Sequence, residues 1–267
     1  MPKLEPTGLI DLGDMRLEYR WIPPREPDAP ILMFLHEGLG CVALWRDFPD
    51  RVALATGCGA FIYSRAGYGQ STPVPLPRPV RYMHDEGLDV LPRLLAKLNF
   101  HKVILIGHSD GGSIAIIHAG SGHADRVAGV ATLAAHVFNE EVCVASIRQA
   151  KVNYETTDLR AKLARLHGDN VDCAFWGWNG AWLHPEFWHW NLEEYLPGIK
   201  VPMLVIQGRD DEYGTHRQYD AIMAQVGGPA ELVVLDKCGH SPHRDQGEAT
   251  LQAISDFVRR VAEGVAQ

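Results

Sequence analysis

The feature that most constrains the fold is the stretch VILIGHSDGGSIAII, which spans residues 103–117. Its first run, residues 103–106, is short, β-branched and leucine-rich, a composition typical of a strand buried on both faces. Its second run, residues 113–119, suits a buried helix. Only six residues join the two runs, and three of them are glycines. Because a sharp turn from strand to helix needs residues without a Cβ where backbones crowd, the stretch predicts a strand–turn–helix unit.

Ser109 lies at the apex of this turn. The residues Gly107-His108-Ser109-Asp110-Gly111 match the pattern G-x-S-x-G, in which a strained turn exposes a serine as a nucleophile. The alternative is a glycine-rich loop that contains a serine without any chemical role. The choice depends on whether the rest of the chain supplies partners for a nucleophilic serine.

Strand and helix patterns alternate along most of the chain. This alternation predicts a mostly parallel sheet with helices on both faces, and the hairpin signal at Gly13-Asp14 adds an antiparallel edge. Pro92 lies within one helical pattern and is expected to kink it. The strands are predicted at 7–12, 15–21, 31–35, 60–63, 103–106, 126–133, 201–206 and 231–235, and the helices at 81–98, 111–119, 140–150, 157–167, 215–226 and 244–262.

Residues 137–196 interrupt the alternation and contain no strand pattern. We interpret them as a helical lid inserted into a core made of residues 1–136 and 197–267. The insertion would lie at the carboxyl edge of the sheet, where open α/β sheets bind ligands. It contains five of the seven tryptophans of the chain: Trp176, Trp178, Trp182, Trp188 and Trp190. These side chains either fill the core of the insertion or cover an apolar substrate group, and we expect one or two to face the pocket.

Charge and composition exclude several classes of partner. The net charge is −8 and no run of lysine or arginine occurs, which argues against nucleic acid or an anionic membrane as a partner. No apolar run is long enough to span a bilayer, and the first residues lack the apolar region of a signal peptide. The five cysteines are an odd number and contain no C-x-x-C pair, so we expect a reducing, cytoplasmic location.

A nucleophilic serine needs a base, and the base needs a carboxylate that orients it. Because parallel strands end at one edge of a sheet, the partners should follow later strands. Asp210 and Asp211 follow the strand predicted at 201–206, and His240 follows the strand at 231–235. The order serine, acid, histidine is the one expected for a G-x-S-x-G turn. Either aspartate satisfies this order.

Five segments in this order resemble the α/β-hydrolase fold family over essentially the whole chain: HEGLG, YSRAGYGQS, GHSDGG, GRDD and CGHSPH. The resemblance implies an α/β-hydrolase fold with Ser109 as nucleophile and His240 as base. The family spacing from Gly208 favours Asp211 over Asp210 as the acid. The other aspartate would cap a turn or the helix that follows.

Two backbone N–H groups are expected to stabilise the oxyanion. One belongs to Asp110, the residue after the nucleophile, and the resemblance assigns the other to Gly38. Glu37 departs from the glycine-rich family pattern at this loop. We favour a carboxylate that points into solvent or caps a turn. The alternative is a carboxylate near the acyl site whose pKa is raised by burial.

Seven residues are candidates for the substrate pocket, although each type is more often a packing residue: Glu37, Leu39, Trp45, His108, Trp176, Trp178 and Trp182. Met83 is a further candidate, and Arg65 is expected to be a scaffold residue. We expect no cofactor. We also expect no metal, because Cys238, His240 and His243 fit no standard zinc spacing.

These features predict a serine hydrolase that cleaves a small ester or related carbonyl compound through an acyl-enzyme. The expected substrate has an apolar acyl or alcohol part. A C–C bond hydrolase or lactonase with the same three residues is the alternative; the C–C hydrolase needs a basic pocket residue, for which Arg148, Lys151 and Arg160 are candidates. The alternative of another class is a ligand-binding module on the same fold. The sequence does not predict the oligomeric state.

Overall fold

One eight-stranded sheet forms the centre of the protein. The computed structural model describes residues 4–122 and 124–264. Within them the order across the sheet is β1-β2-β4-β3-β5-β6-β7-β8. The pairs β1–β2 and β2–β4 are antiparallel and all other pairs are parallel, so the predicted fold class is confirmed. The strands are β1 (Thr7–Asp11), β2 (Arg16–Ile22), β3 (Ile31–Leu35), β4 (Gly59–Tyr63), β5 (Val103–His108), β6 (Val127–Leu133), β7 (Met203–Gly208) and β8 (Ala230–Leu235).

Helices cover both faces of this sheet. The α-helices of the described residues are α1 (Phe48–Thr56), α2 (Tyr82–Asp85), α3 (Leu91–Leu98), α4 (Asp110–Gly120), α5 (Glu141–Thr156), α6 (Leu159–His167), α7 (Val171–Trp182), α8 (His216–Gln225), α9 (Pro242–Asp245) and α10 (Gly247–Glu263). The helices α1 and α10 pack on one face, and α3 and α4 pack on the other. No helix in the described chain is both long and apolar enough to cross a bilayer.

The unbroken apolar run of β5 follows from this double cover. Successive side chains of a strand point to opposite faces. Val103 and Leu105 therefore pack toward α3 and α4, whereas Ile104 and Ile106 pack toward α1 and α10. All four side chains are fully buried. A strand with one exposed face would instead alternate apolar and polar residues.

Two predicted helices are interrupted. The helix expected at 81–98 consists of α2, a π-helical turn at Glu86–Val90, and α3. Pro92 lies in the first turn of α3, where its missing N–H costs least, so the interruption falls immediately before it. The helix expected at 244–262 is divided into α9 and α10 at Gln246, whose φ of −130° and ψ of 53° are not helical.

The chain between β6 and β7 contains three α-helices, α5, α6 and α7, and three short 3₁₀ helices. An isolated bridge joins Phe138 to Asn191, and no named strand occurs in this described segment. Helix α7 contains the tryptophan-rich run and is absent from the helices predicted above. Its glycines and aromatic residues have low helix propensity, so tertiary packing stabilises it. The ring of Phe175 stacks on Tyr154 of α5 with centroids 3.6 Å apart.

Candidate active site

The turn after β5 has the strained geometry expected of a nucleophile elbow. Ser109 has φ 52° and ψ −118°, values that an L-residue rarely adopts. A Cβ at Gly107 would lie 2.3 Å from the carbonyl oxygen of Gly111, and a Cβ at Gly111 would lie 2.0 Å from that of Leu35. Both glycines are therefore required by close backbone approach, which explains the G-x-S-x-G pattern in physical terms.

The structure brings Ser109, His240 and Asp211 into one hydrogen-bonded line. Ser109 Oγ lies 2.9 Å from His240 Nε2. His240 Nδ1 lies 2.9 Å from each carboxylate oxygen of Asp211. Asp210, the rival for the acid, is exposed to solvent and makes no hydrogen bond to His240 among the described contacts. The geometry therefore favours Asp211.

Three groups besides His240 hold the Asp211 carboxylate. The backbone N–H of Tyr213 donates to Oδ1 at 2.7 Å, and that of Gly214 donates to the same oxygen at 3.3 Å. Gln207 Nε2 donates to Oδ2 at 2.6 Å. These donors leave the carboxylate little freedom to turn away from the imidazole.

The imidazole and the carboxylate stabilise each other's charged forms. Burial of His240 opposes the imidazolium, but the hydrogen bond and charge of Asp211 outweigh it and raise the pKa of His240. Burial opposes the Asp211 carboxylate in the same way, and the contact with His240 outweighs it and lowers the pKa of Asp211. A base oriented in this way can take a proton from Ser109 and hold it as an imidazolium.

The two predicted oxyanion donors face the same cavity as Ser109. Asp110 is the first residue of α4, where its N–H has no helical acceptor. Gly38 follows β3, and its N–H has no acceptor among the described residues. A Cβ at Gly38 would lie 2.2 Å from Nε1 of Trp178. Glycine is therefore needed here because the indole of α7 closes over the loop.

Glu37 differs from both expectations. Its side chain lines the cavity rather than pointing into solvent, and its Oε2 contacts Nδ1 of His108. Burial raises the pKa of this carboxyl, but the imidazoles of His108, His243 and His240 outweigh burial and lower the pKa to about 2. The favoured position in solvent is therefore wrong. The alternative position near Ser109 agrees with the structure, but its expected rise in pKa does not, because neighbouring histidines decide the sign.

A cavity of about 220 Å³ opens over Ser109. Leu39, Trp178 and Trp182 line it, as predicted from the sequence. Two of the five insertion tryptophans thus face the cavity. The complete lining consists of Glu37, Gly38, Leu39, Ser109, Asp110, His136, Cys143, Ile147, Trp178, Trp182, Glu212, Tyr213, His240 and Ser241.

Three predicted pocket residues lie outside this lining. His108 lies behind the catalytic loop, with Nε2 2.7 Å from the carbonyl oxygen of His240. Trp45 lies deeper, and its ring packs edge-on against Phe34. Trp176 packs edge-on against Phe175 within the insertion. The positions of these three side chains depend on which face of their helix or loop is buried. The amino-acid composition alone does not determine which face that is.

The other candidates also lie away from the cavity lining. Met83 is buried in the core, Lys151 lies over the ring of Trp176, and Arg160 pairs with Asp172. Arg148 is absent from the lining as well. Among the described residues, no group of three histidine, cysteine or acidic side chains is placed to hold a metal ion.

Six lining residues were not predicted: His136, Cys143, Ile147, Glu212, Tyr213 and Ser241. Three of them directly follow predicted catalytic residues, since Glu212 and Tyr213 follow Asp211 and Ser241 follows His240. His136 follows β6 at the same sheet edge, so the rule that located Asp211 could also have found it. Cys143 and Ile147 are spaced by four residues on α5, a spacing that places them on one helix face.

Comparison with known proteins identifies the family of the chain. The model of the Alpha/beta hydrolase family matches residues 32–253. The chain belongs to this family. No curated protein sequence matches the chain at a significant level.

Several solved structures have the same fold. Proline iminopeptidase of Mycobacterium smegmatis is 18% identical with a TM-score of 0.74, and the match covers 97% of this chain and 100% of that chain. The enol-lactonase of Burkholderia xenovorans is 23% identical with a TM-score of 0.70, covering 94% and 99%. A thermophilic esterase of Thermogutta terrifontis is 17% identical with a TM-score of 0.68, covering 93% and 94%. At these identities the likeness supports the fold alone.

Proposed function

We propose that the protein is a serine hydrolase that cleaves small, uncharged esters through an acyl-enzyme. The observation that carries the proposal is the line Ser109–His240–Asp211, with 2.9 Å at each junction and Ser109 facing a cavity. This geometry meets the requirement that a nucleophile reach its base and the base reach an orienting carboxylate.

The reaction proceeds in two half-reactions at one site. Ser109 Oγ attacks the ester carbonyl carbon while its proton passes to His240 Nε2. The N–H groups of Gly38 and Asp110 bind the tetrahedral oxyanion, and the imidazolium then protonates the departing alcohol. Water, deprotonated by His240, releases the acid by the same route. Asp211 keeps the proton of the neutral imidazole on Nδ1 and stabilises the imidazolium. We propose residues 137–196 as the lid, because Trp178 and Trp182 of this insertion line the cavity.

The charge of the lining supports a neutral substrate. The carboxyl groups of Glu37 and Glu212 belong to residues that line the cavity, and no lysine or arginine is part of the described lining. A substrate carboxylate about 4 Å from one of them would cost about 4 kcal/mol at an effective dielectric constant of about 20. This repulsion disfavours the dicarboxylate substrates of the C–C hydrolase alternative.

A panel of p-nitrophenyl esters of increasing acyl length tests the proposal. We expect turnover by the wild type, loss of turnover in Ser109→Ala, and retention in Ser113→Ala, a control one turn along α4. Within the panel, p-nitrophenyl butyrate and the p-nitrophenyl monoester of succinate differ only at the end of the acyl chain, which is a methyl group in the butyrate and a carboxylate in the succinate. We expect a higher kcat/KM for the butyrate.

Results that contradict the proposal distinguish between the alternative functions. An inert wild type whose Ser109 is labelled by a fluorophosphonate would mean that the nucleophile is correct and the substrate class is wrong. Preference for the succinate ester would refute the argument from cavity charge. Neither turnover nor labelling would favour the ligand-binding module.

A further inference from the structure

Arg65 is a buried cation that contacts both segments of the proposed oxyanion hole. Its side chain is 1% exposed. Its Nη1 donates to the carbonyl oxygen of His36 at 2.5 Å, and its Nη2 donates to that of Glu37 at 3.0 Å. The same Nη2 lies 3.7 Å from Oδ2 of Asp110. The guanidinium thus joins the loop after β3 to the first residue of α4.

The contact with Glu37 acts on the oxyanion donor directly. The carbonyl of Glu37 and the N–H of Gly38 belong to one peptide group, so a donor on the carbonyl fixes the direction of the N–H. Hydrogen bonding to the carbonyl also polarises the amide and strengthens its N–H as a donor. The planar guanidinium binds two successive carbonyls in a fixed fork, a geometry that a lysine ammonium does not reproduce.

Asp110 offsets part of the positive charge of Arg65. Its Oδ2 lies 3.7 Å from Nη2 of Arg65, which is within ion-pair range but beyond hydrogen-bond distance. Its oxygens accept instead from the hydroxyl of Tyr82 at 2.5 Å and from Nε1 of Trp182 at 3.3 Å. A buried cation behind the donor peptide favours the negative charge that develops on the substrate oxygen, where water is excluded.

We infer that Arg65 is a positioning residue of the oxyanion hole, in addition to the scaffold residue expected from the sequence. It holds the Glu37–Gly38 peptide with its N–H toward the cavity and supplies positive charge behind that peptide. The inference rests on the proposed function, because it assigns Arg65 a part in stabilising the tetrahedral intermediate.

An alkyl trifluoromethyl ketone measures this role apart from substrate binding. Ser109 Oγ bonds to its carbonyl carbon, the carbonyl π pair becomes the oxyanion, and the serine proton passes to His240. The inhibition constant for this compound therefore reports the oxyanion hole, whereas the KM of a p-nitrophenyl ester is less sensitive to it.

Arg65→Met, Arg65→Lys and Arg78→Met form the matched set. Arg78 is also a buried arginine, but it donates to the carbonyl oxygen of Ala66 and to Glu86 rather than to His36 or Glu37. Its loss therefore controls for removing a buried cation nearby. We expect Arg65→Met to lower kcat about 10–10²-fold, with KM changed little and ketone affinity weakened by a similar factor. This is less than the loss of a donor costs, because His36 Nδ1 and the N–H of Gly40 still bind the Glu37 carbonyl.

Arg65→Lys is expected to lose less kcat and less ketone affinity than Arg65→Met. The lysine retains the positive charge but cannot bind two carbonyls at once as the guanidinium does. Arg78→Met is expected to lower the melting temperature while ketone affinity stays within about threefold. If Arg65→Met weakens the ketone no more than Arg78→Met does, the role of Arg65 is structural and the inference is wrong. If Arg65→Met does not fold, Arg65→Lys decides alone: unchanged kcat and ketone affinity would refute the inference.

A failure of the proposed function gives a different pattern. If wild type cleaves no ester but a fluorophosphonate labels Ser109, the rate of labelling replaces kcat in the comparison, since the phosphonyl oxygen occupies the same hole. If wild type neither cleaves esters nor is labelled, the proposed function is wrong, and the inference about Arg65 is overturned with it.

Discussion

Replacement of Asp211 by asparagine tests the electrostatic argument for the candidate active site most directly. The amide oxygen should stay at the Oδ1 position, where the N–H groups of Tyr213 and Gly214 donate at 2.7 and 3.3 Å. The NH₂ group then takes the Oδ2 position, 2.9 Å from His240 Nδ1, and the Gln207 amide must turn over so that its oxygen accepts from this group. When the NH₂ group donates to Nδ1, the ring proton lies on Nε2, which faces Ser109 and can no longer accept its proton.

The expected loss of activity in Asp211→Asn is large, and the activity that remains should depend on pH differently from that of wild type. Loss of the correct imidazole tautomer lowers kcat by about 10⁴-fold in a Ser-His-Asp triad. Burial lowers the pKa of His240, while Asp211 raises it above the ordinary value of 6.5. Without the carboxylate, burial dominates, so the residual activity should rise with pH through a lower apparent pKa than in wild type. Each unit of that shift corresponds to about 1.4 kcal/mol of lost imidazolium stabilisation.

The assay is kcat/KM for the best p-nitrophenyl ester between pH 5 and 9, corrected for spontaneous hydrolysis, alongside Asp210→Asn as the matched control. Asp210 is exposed to solvent, so its amide should leave both the rate and the profile unchanged. The reasoning would be refuted if Asp210→Asn abolished activity while Asp211→Asn retained it, or if the profile of Asp211→Asn moved to higher pH.

Three further perturbations test other parts of the site. Gly38→Ala should lower kcat about 10²–10³-fold, because its Cβ would lie 2.2 Å from Nε1 of Trp178 and the donor loop must move; unchanged kinetics would exclude Gly38 as a donor. Glu37→Gln should lower the apparent pKa of kcat/KM, because the Glu37 carboxylate helps to raise the pKa of His240; an unchanged profile would contradict this coupling. His243→Phe should make the free energy of unfolding less sensitive to acid. Burial lowers the pKa of His243 to about 3, so below about pH 6.5 the imidazole binds a proton in the unfolded chain but not in the folded chain. Urea unfolding between pH 7 and 4.5 gives the slope of the unfolding free energy against pH, which should be smaller in the variant than in wild type by up to about 1.4 kcal/mol per pH unit; an identical slope would refute the assignment.

Local sequence signals predicted the fold, and together with the family resemblance they predicted which three residues form the hydrogen-bonded line. Double burial leaves an unbroken apolar run at β5, and close backbone approach demands glycine at positions 107 and 111. Because parallel strands end at one edge, the residues after β7 and β8 had to meet the turn after β5. Sequence order and strand ends therefore select Ser109, His240 and one of the two aspartates, and the spacing of the family resemblance favours Asp211. Ser109, His240 and Asp211 lie at hydrogen-bond distance.

The cavity lining was less accessible to such reasoning. Trp176 and Trp178 are two residues apart on α7, so they point in different directions, and only Trp178 reaches the cavity. Which direction faces Ser109 is set by how α7 packs against α5 and the core. That packing involves residues far apart in sequence, and neither composition nor periodicity encodes it locally.

The sequence by itself determined the alternation of strands and helices, the sharp turn at Ser109 and the chain order of its partners, because these depend on local sterics and on the convergence of parallel strands. Only the tertiary structure decided the pKa of Glu37 and the contacts of Arg65. The pKa of Glu37 is lowered chiefly because His108, which lies 71 residues further along the chain, contacts its carboxylate. The Arg65 guanidinium binds carbonyls 28 and 29 residues away along the chain. Electrostatic energies depend on distance and burial in space, which the order of residues along the chain does not specify.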